Sequence, residues 1–236
     1  EILRNDVSLP SGPSSGLPPT SSSTAKLPPV VEAEHADQEL LRRVVDYYHE
    51  TLLSEPKALA YLEKRGIGCQ EAIERFKLGF SNRTLGYRLP AKTTKEGLDV
   101  RERLQRLGVI RKTGHEHFRG SLVFPIFDER GCVVEMYGRK TAPSHSLRSG
   151  TPLHLYLPGP HRGIWNLEAV QVSEELILCE SLIDALSFWV AGLRNVTAGY
   201  GTQGVTAEHL EAFRRHGTKR VLIAYDRDEA GEKAAT

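Results

Sequence analysis

Two short apolar runs, Leu176-Ile177-Leu178-Cys179 and Val221-Leu222-Ile223-Ala224-Tyr225, each end in acid: Glu180 after the first, Asp226 and Asp228 after the second. Between them the chain reads helix, weaker strand, helix. The order β-α-β-α-β favours a parallel sheet with helices packed on its faces. Strands of a parallel sheet all point the same way, so Glu180, Asp226 and Asp228 are expected together at the carboxyl edge, where such folds bind ligands. Three carboxylates at one edge make a candidate divalent-metal site.

Composition narrows the rest. The 236 residues allow one or two domains. The 31 basic and 30 acidic side chains nearly cancel, so any nucleic-acid signal must come from local clustering. Cys69, Cys132 and Cys179 lie far apart and are odd in number, which predicts neither a disulfide framework nor a zinc knuckle and suits a reducing compartment. No apolar run reaches membrane-spanning length and no basic-then-apolar leader opens the chain, so the expectation is a soluble, cytoplasmic protein with no membrane partner. The chain starts at Glu1 without methionine and stops at Thr236 within what reads as the first turns of a helix, the pattern expected of part of a longer protein.

Residues 1–36, with Pro10, Pro13, Pro18, Pro19, Pro28 and Pro29 among serines, bury too little to offset ordering and read as a disordered linker. Residues 37–53 carry Leu40, Leu41, Val44, Val45, Tyr48 and Leu52 at helical spacing. Ser54 reads as the cap of a second helix with Pro56 in its first turn and Gly66 at its end. A third helix is expected over 70–76, with 77–80 extended, and a fourth over 99–107. The runs 118–127 and 132–137, joined by Asp128-Glu129-Arg130-Gly131, predict an antiparallel hairpin, and 154–157 a further short strand.

Residues 101–162 hold eleven Lys and Arg against five Asp and Glu, and five of the nine histidines. Such an excess suits a polyanion, nucleic acid or nucleoside triphosphate, though a solvated helix face with scattered arginines reads equally well. Arg119 and Arg139 are the sharper cases because strands fix their positions, and Gly138 beside Arg139 would let a ligand approach the backbone.

At the acidic edge, Glu180 and Asp184 are one helical turn apart, so Asp184 could support the site or bind metal through water. Asp226 and Asp228 project to one side of an extended segment. Magnesium takes oxygen ligands, keeps several waters and uses one or two carboxylates with substrate phosphates, which this set can supply. Asp228 reads equally as the cap of a helix starting near Glu229. The turn Gly199-Tyr200-Gly201-Thr202-Gln203-Gly204, opening a helix near Thr206, could offer N–H groups to phosphate.

The stretch ILCESLIDALSFWVAGLRNVTAGYGTQG followed by VLIAYDRDEAG resembles the Toprim domain, with a glutamate after the first strand and Asp-x-Asp after the third. Upstream, Arg75-Phe76-Lys77-Leu78-Gly79-Phe80, then Phe118-Arg119-Gly120-Ser121-Leu122-Val123-Phe124-Pro125-Ile126, then 131–140 ending Tyr-Gly-Arg-Lys, resemble the catalytic core of bacterial-type DNA primases in the same order. The resemblance implies an α+β N-terminal subdomain of helices and antiparallel strands over 37–170. An α/β Toprim subdomain with a mainly parallel sheet, incomplete at its C-terminus, would follow over 171–236. It implies a nucleotidyltransferase making RNA primers on single-stranded DNA from ribonucleoside triphosphates, with a replicative helicase as partner and a nucleoid or replicon location. Glu180, Asp226 and Asp228 would be catalytic and, with Asp184, hold Mg2+ or Mn2+, Glu180 also serving as acid or base. Arg119, Arg139, Lys140, Arg162 and His154 would contact nucleic acid or nucleotide. Glu1-Ile2-Leu3-Arg4 is similar to the tail of a zinc-binding module, so Zn2+ is expected only upstream. The chain departs from the family at Ser181, where glycine usually follows the glutamate, at His154, where lysine is common, and at His161-Arg162-Gly163. The same acids would also serve a Toprim nuclease or topoisomerase-like strand breaker, and a primase-like DNA-binding module without catalysis is the rival of another class. An aspartate phosphatase fits poorly, because such enzymes usually place Asp-x-Asp on the first strand.

Overall fold

The structure is a computed structural model that describes residues 37–226. Two sheets organise it. The first is antiparallel in the order β1 (Gly79–Ser81), β2 (Ser121–Phe127), β3 (Val133–Lys140), β4 (His154–Tyr156). The second is parallel in the order β6 (Val196–Ala198), β5 (Glu175–Cys179), β7 (Arg220–Ala224), with α6 (Leu182–Val190) and α7 (Ala207–Arg215) in the crossovers. This is the expected β-α-β-α-β order, and the mixed α+β and α/β class holds.

Helix α1 (Asp37–Leu53) has the expected bounds and buries Leu40, Leu41, Val44, Val45, Tyr48 and Leu52. Its Gln38 side chain donates to the Val133 carbonyl at 3.1 Å and accepts from the Val133 N–H at 3.0 Å, so one amide completes the start of β3. Helix α2 (Pro56–Lys64) is capped by Glu55 rather than Ser54. The Ser54 hydroxyl donates backward to the Glu50 carbonyl at 2.9 Å, satisfying an acceptor at the end of α1. Helix α3 (Gln70–Arg75) ends in a turn where Leu78 N–H reaches the Ile73 carbonyl and Lys77 N–H the Glu74 carbonyl. That closure requires a left-handed residue, and Lys77 supplies it at φ 49°, so extended chain starts at Gly79 rather than Lys77. Helix α4 (Lys95–Arg106) starts four residues before the expected bound, because Thr94 caps it by accepting from Gly97 N–H at 3.0 Å.

The β2–β3 hairpin forms as expected, although β2 begins at Ser121 and β3 runs on to Lys140. Asp128 Oδ1 accepts from Arg130 and Cys132 N–H groups and Gly131 takes φ 71°, which fixes the turn. Pro125 is tolerated inside β2 because β1 is short: its last partner on that side is Val123. A six-residue helix not expected from the sequence, α5 (Leu167–Val172), packs Ala169 and Val170 with Leu176 and Phe213.

Strand β2 is buried on both faces. One face packs Val123 with Val44, Tyr48, Leu104, Val133 and Met136 under α1 and α4. The other packs Leu122, Phe124 and Ile126 in one cluster with Ile177, Cys179, Leu182, Leu186, Val196 and Ala198 of the parallel sheet. Phe76 and Trp165, ring centroids 4.3 Å apart, fill the seam. Among the described residues no helix is long and apolar enough to cross a membrane.

His209 in α7 is fully buried, its Nδ1 accepting from the Thr206 backbone N–H at 3.2 Å and its Nε2 donating to the Ala198 carbonyl at 3.1 Å. Burial holds its pKa below the ordinary 6.5, and burial does the same to His117. A depressed histidine contributes stability that is present above the unfolded pKa and lost as pH falls through the folded one. The urea midpoint should therefore decline between about pH 7.5 and 5, and His209→Gln should start lower but decline less steeply. A pH slope unchanged by His209→Gln would assign the decline elsewhere.

Candidate active site

Cys179, the last residue of β5, pairs with Ala198 of β6 and Ala224 of β7, so the three strands end level. Glu180 leaves β5 one residue later, and Asp226 leaves β7 two residues after Ala224. The Glu180 carbonyl accepts from Gly201 N–H at 3.0 Å, which pins the glycine-rich turn to the acid-bearing strand end. Ser181 caps α6, and its Oγ donates to Asp184 Oδ2 at 2.6 Å, so Asp184 sits in the first helical turn beside the strand end. Burial, and then Glu180, raise the Tyr225 phenol. Asp228 lies outside the described residues.

The antiparallel sheet faces this edge through β3 and β4. Arg139 pairs with His154 across the two strands, and the guanidinium touches His154 Nε2. Tyr137, fully buried, meets His154 Nδ1 at 2.8 Å. Burial and then Arg139 lower the His154 pKa, while Asp184 and Asp226 oppose the shift. His154 thus feels both the Arg139 cation and two carboxylates of the parallel sheet. Tyr156 beside it is raised by burial, then by Glu135, Glu180 and Asp184. Glu180, Asp184, Asp226, Arg139 and His154 therefore share one electrostatic neighbourhood.

Lys140 and Arg119 belong to a different one. Side chains alternate along β3, so Lys140 leaves the face opposite to Arg139. Its ammonium donates to the Arg119 carbonyl, and the residue is only 8% exposed. Burial, followed by Arg119, Arg111 and Arg83, lowers its pKa to about 8. Arg162 is held by its backbone: Tyr200 Oη donates to the Arg162 carbonyl at 2.5 Å and approaches the Gly163 carbonyl at 2.9 Å. His161 stacks on Tyr200 with centroids 4.4 Å apart and planes 8° from parallel. Its Nδ1 lies 3.1 Å from Glu135, a buried carboxylate that accepts from Met136 and Leu157 N–H groups and whose pKa burial raises.

Several expectations change. The α4 arginines are structural: Arg103 and Arg106 bind Asp37, and Arg101 donates to the carbonyls of Pro90, Gly97 and Gly86. Gly138 exists for packing, since a Cβ there would come within 2.4 Å of the Phe118 ring. The glycine-rich turn is not a phosphate cradle through its glycines: Gly199, Gly201 and Gly204 spend their N–H groups on Cys179, Glu180 and Gly201 carbonyls. Tyr156 and Glu135 escaped the sequence reading, and Tyr137, Tyr200 and Ser181 entered it only as members of motifs, with no contact assigned to their side chains. The adjacency of Tyr137 to Arg139 and of Tyr200 to the turn glycines was the available signal.

Among the described residues no group of three His, Cys, Asp or Glu side chains gathers closely enough to hold a metal ion. The donors present at the edge, Glu180, Asp184 and Asp226, are all carboxylates, the chemistry a hard divalent cation requires, and one or two suffice where phosphates and water complete the shell.

A level-ended parallel sheet with a glutamate after its central strand and an aspartate after β7 defines a Toprim-like module, and the family model described as Toprim-like matches residues 177–236. A second model, the N-terminal domain of the DNA primase catalytic core, matches residues 47–149. The DNA primase of Helicobacter pylori strain J99 is 31% identical over 213 residues, covering 84% of this chain and 36% of that protein. The DNA primase of Listeria monocytogenes is 29% identical over 239 residues, 94% of this chain and 35% of its own length. Among solved structures, a DnaG catalytic core superposes with a TM-score of 0.69 at 28% identity, covering 85% of this chain and 65% of that one. A DnaG primase catalytic domain bound to ssDNA gives 0.67 at 28% identity, with 84% and 66% covered. The chain belongs to the bacterial-type DNA primase catalytic-core family. It spans about a third of the length of the curated relatives it matches.

Tyr200→Phe removes the hydroxyl that holds the 162–163 backbone. It should cost about 1–2 kcal/mol in urea denaturation with an unchanged m value, since the one hydroxyl proton shared by the two loop carbonyls is lost. Faster amide exchange confined to the 161–163 loop is the accompanying readout.

Proposed function

We propose that this chain synthesises RNA primers on single-stranded DNA, as a nucleotidyltransferase acting in DNA replication. The observation that carries the reading is the convergence of Glu180, Asp184 and Asp226 on Arg139 and His154 across the two sheets. Such a cleft suits a triphosphate, whose charge needs cations on one side and carboxylate-held metal on the other. The similar DnaG primase catalytic domain whose structure is bound to ssDNA supports a single-stranded template. Ribonucleoside triphosphates as substrates and a replicative helicase as partner follow from the same reading, as does a cytoplasmic location at the nucleoid or replicon. We place the division between the two modules before α5, because that helix packs with the parallel sheet.

Glu180 and Asp226, with Asp228 outside the described residues, would hold Mg2+ or Mn2+, and Asp184 would support them. When bound, such a cation neutralises triphosphate charge and lowers the pKa of an attacking 3′-hydroxyl. Arg139, held by His154, presents guanidinium N–H donors to a phosphate entering the cleft. Glu180, at the end of the central strand, is placed to accept a proton from the attacking hydroxyl. Arg162 lies on a loop anchored by Tyr200, whereas Lys140 and Arg119 form a separate cationic patch suited to template phosphates.

Glu180→Gln and Asp226→Asn should each reduce primer synthesis from ribonucleotides by at least about 100-fold while leaving the urea midpoint unchanged. Template binding should weaken steeply with salt. Primer synthesis that survives both substitutions would overturn the reading, and a nicking activity in its place would mark a strand breaker.

A further inference from the structure

Glu116 is an acid with no part in the carboxylate edge, and it is buried, at 5% exposure. Its own backbone is fixed by a β-bridge to Ile110, and the neighbouring His117 N–H reaches the Val109 carbonyl at 2.8 Å. Both carboxylate oxygens are used. Oε2 accepts from the Ser81 hydroxyl at the end of β1, and Oε1 accepts from the Leu85 N–H at 2.9 Å. A single carboxylate thereby ties down both ends of the segment 81–85, and Arg83 stands at its middle. Within the segment, Asn82 Oδ1 accepts from Thr84 N–H at 3.2 Å, and the Thr84 hydroxyl meets Tyr47 Oη at 2.5 Å. Arg83 takes φ 75°, a left-handed conformation that a residue with a Cβ keeps only where its surroundings fix it.

The segment delivers the Arg83 side chain to the Arg119–Gly120 corner. The Ser81 carbonyl accepts from Gly120 N–H at 2.6 Å, and a Cβ at Gly120 would lie 3.8 Å from the Arg83 guanidinium. The Lys140 ammonium donates to the Arg119 carbonyl at the same corner. Arg83 and Arg119 are both exposed, so both residues are open to a ligand. We propose that Arg83 is a further phosphate-binding residue of the Arg119–Lys140 patch, contacting the backbone of single-stranded DNA, and that buried Glu116 is the positioning residue that holds it there. The proposal rests on the reading of that patch as a template site. A carboxylate beside such a patch opposes binding through its charge, because it repels phosphate. Positioning and charge therefore predict opposite effects when Glu116 is neutralised.

Glu116→Gln keeps one acceptor oxygen, places an NH2 donor where the other oxygen accepted, and removes the charge. If Glu116 acted by charge alone, a single-stranded thymidine oligonucleotide would bind this variant more tightly than the parent chain. Positioning predicts the reverse. Binding at about 0.1 M salt should weaken about 3- to 10-fold, and the plot of log K against log salt should become shallower by about 0.7, the share of one phosphate contact on a single strand. A loss of stability alone would leave that slope unchanged in the folded variant. Arg83→Ala should show the same two changes, and adding Glu116→Gln to it should alter affinity by no more than about twofold, since the residue that Glu116 positions is gone. Tighter binding by Glu116→Gln, an unchanged slope, or full additivity with Arg83→Ala would overturn the proposal and leave the template reading in place. Should Glu116→Gln not fold, Ser81→Ala, which releases one end of the segment and keeps the charge, decides instead: a shallower slope supports the proposal and an unchanged one overturns it. A parent chain that does not bind the oligonucleotide overturns the template reading and this proposal with it.

Discussion

The structure depends on the burial of β2 on both faces. An antiparallel strand commonly keeps one face for water, and its sequence alternates accordingly. In β2 the alternation is lost, because Leu122, Phe124 and Ile126 pack toward the parallel sheet while Val123 packs toward α1 and α4. At about 25 cal/mol for each Å² removed from water, a seam built from whole leucine, phenylalanine and tryptophan side chains outweighs anything charged at its rim. The rim pairs, Arg75 with Glu168 and Arg194 with Glu71, join exposed groups on opposite sides of the seam. Exposed pairs of that kind contribute about 0–1 kcal/mol each and serve more to set register than to hold the sheets together.

Packing two sheets on one seam has a cost in polar groups, and the way each is met explains much of the site. Glu135 enters the interior on β3 and is bound by two backbone N–H groups and His161. Glu116 enters on the opposite side, accepting from Leu85 N–H and Ser81. Tyr200 sends its hydroxyl to two loop carbonyls. Each of these groups is satisfied by backbone, as buried polar groups must be, and each thereby immobilises a loop. The 161–163 loop that carries Arg162 is ordered by this requirement as much as by its own sequence.

How much of this was legible in the sequence depended on whether the deciding interaction was local. The amphipathic face of α1, the Asp128 to Gly131 turn and the acid-tipped strand order are local patterns, and the structure places them as the residues imply. Ser54, Lys77 and Gly138 were misread because each is governed by a neighbour distant in sequence or by an adjoining helix end. Ser54 completes the helix before it, Lys77 closes α3 in a conformation usually left to glycine, and Gly138 makes room for Phe118. Helix α5 was missed because six residues cannot display a helical period. In the site, sequence singled out the acids and arginines by charge but could not see which would meet. The alternation of β3 sends Arg139 to His154 and Lys140 to the Arg119 carbonyl, a separation that adjacent positions in the sequence conceal.

That separation gives the two cationic groups different chemistry. Lys140 is crowded by Arg119, Arg111 and Arg83, and burial with those like charges weakens its hold on its proton. Such a patch is incomplete until an anion arrives, and an arriving phosphate relieves the repulsion as well as adding its own attraction. Arg139 faces the opposite situation, with a neutral acceptor at His154 and carboxylates beyond it. Its guanidinium is already oriented by His154, so what it would add to a bound phosphate is direction as well as charge. On the proposed function, the first patch would gather polyanion on one face of the antiparallel sheet and Arg139 would orient it on the other. The strand between the two faces is β3, fixed in register by β2, which is why burial of β2 on both sides sets the geometry of the whole cleft.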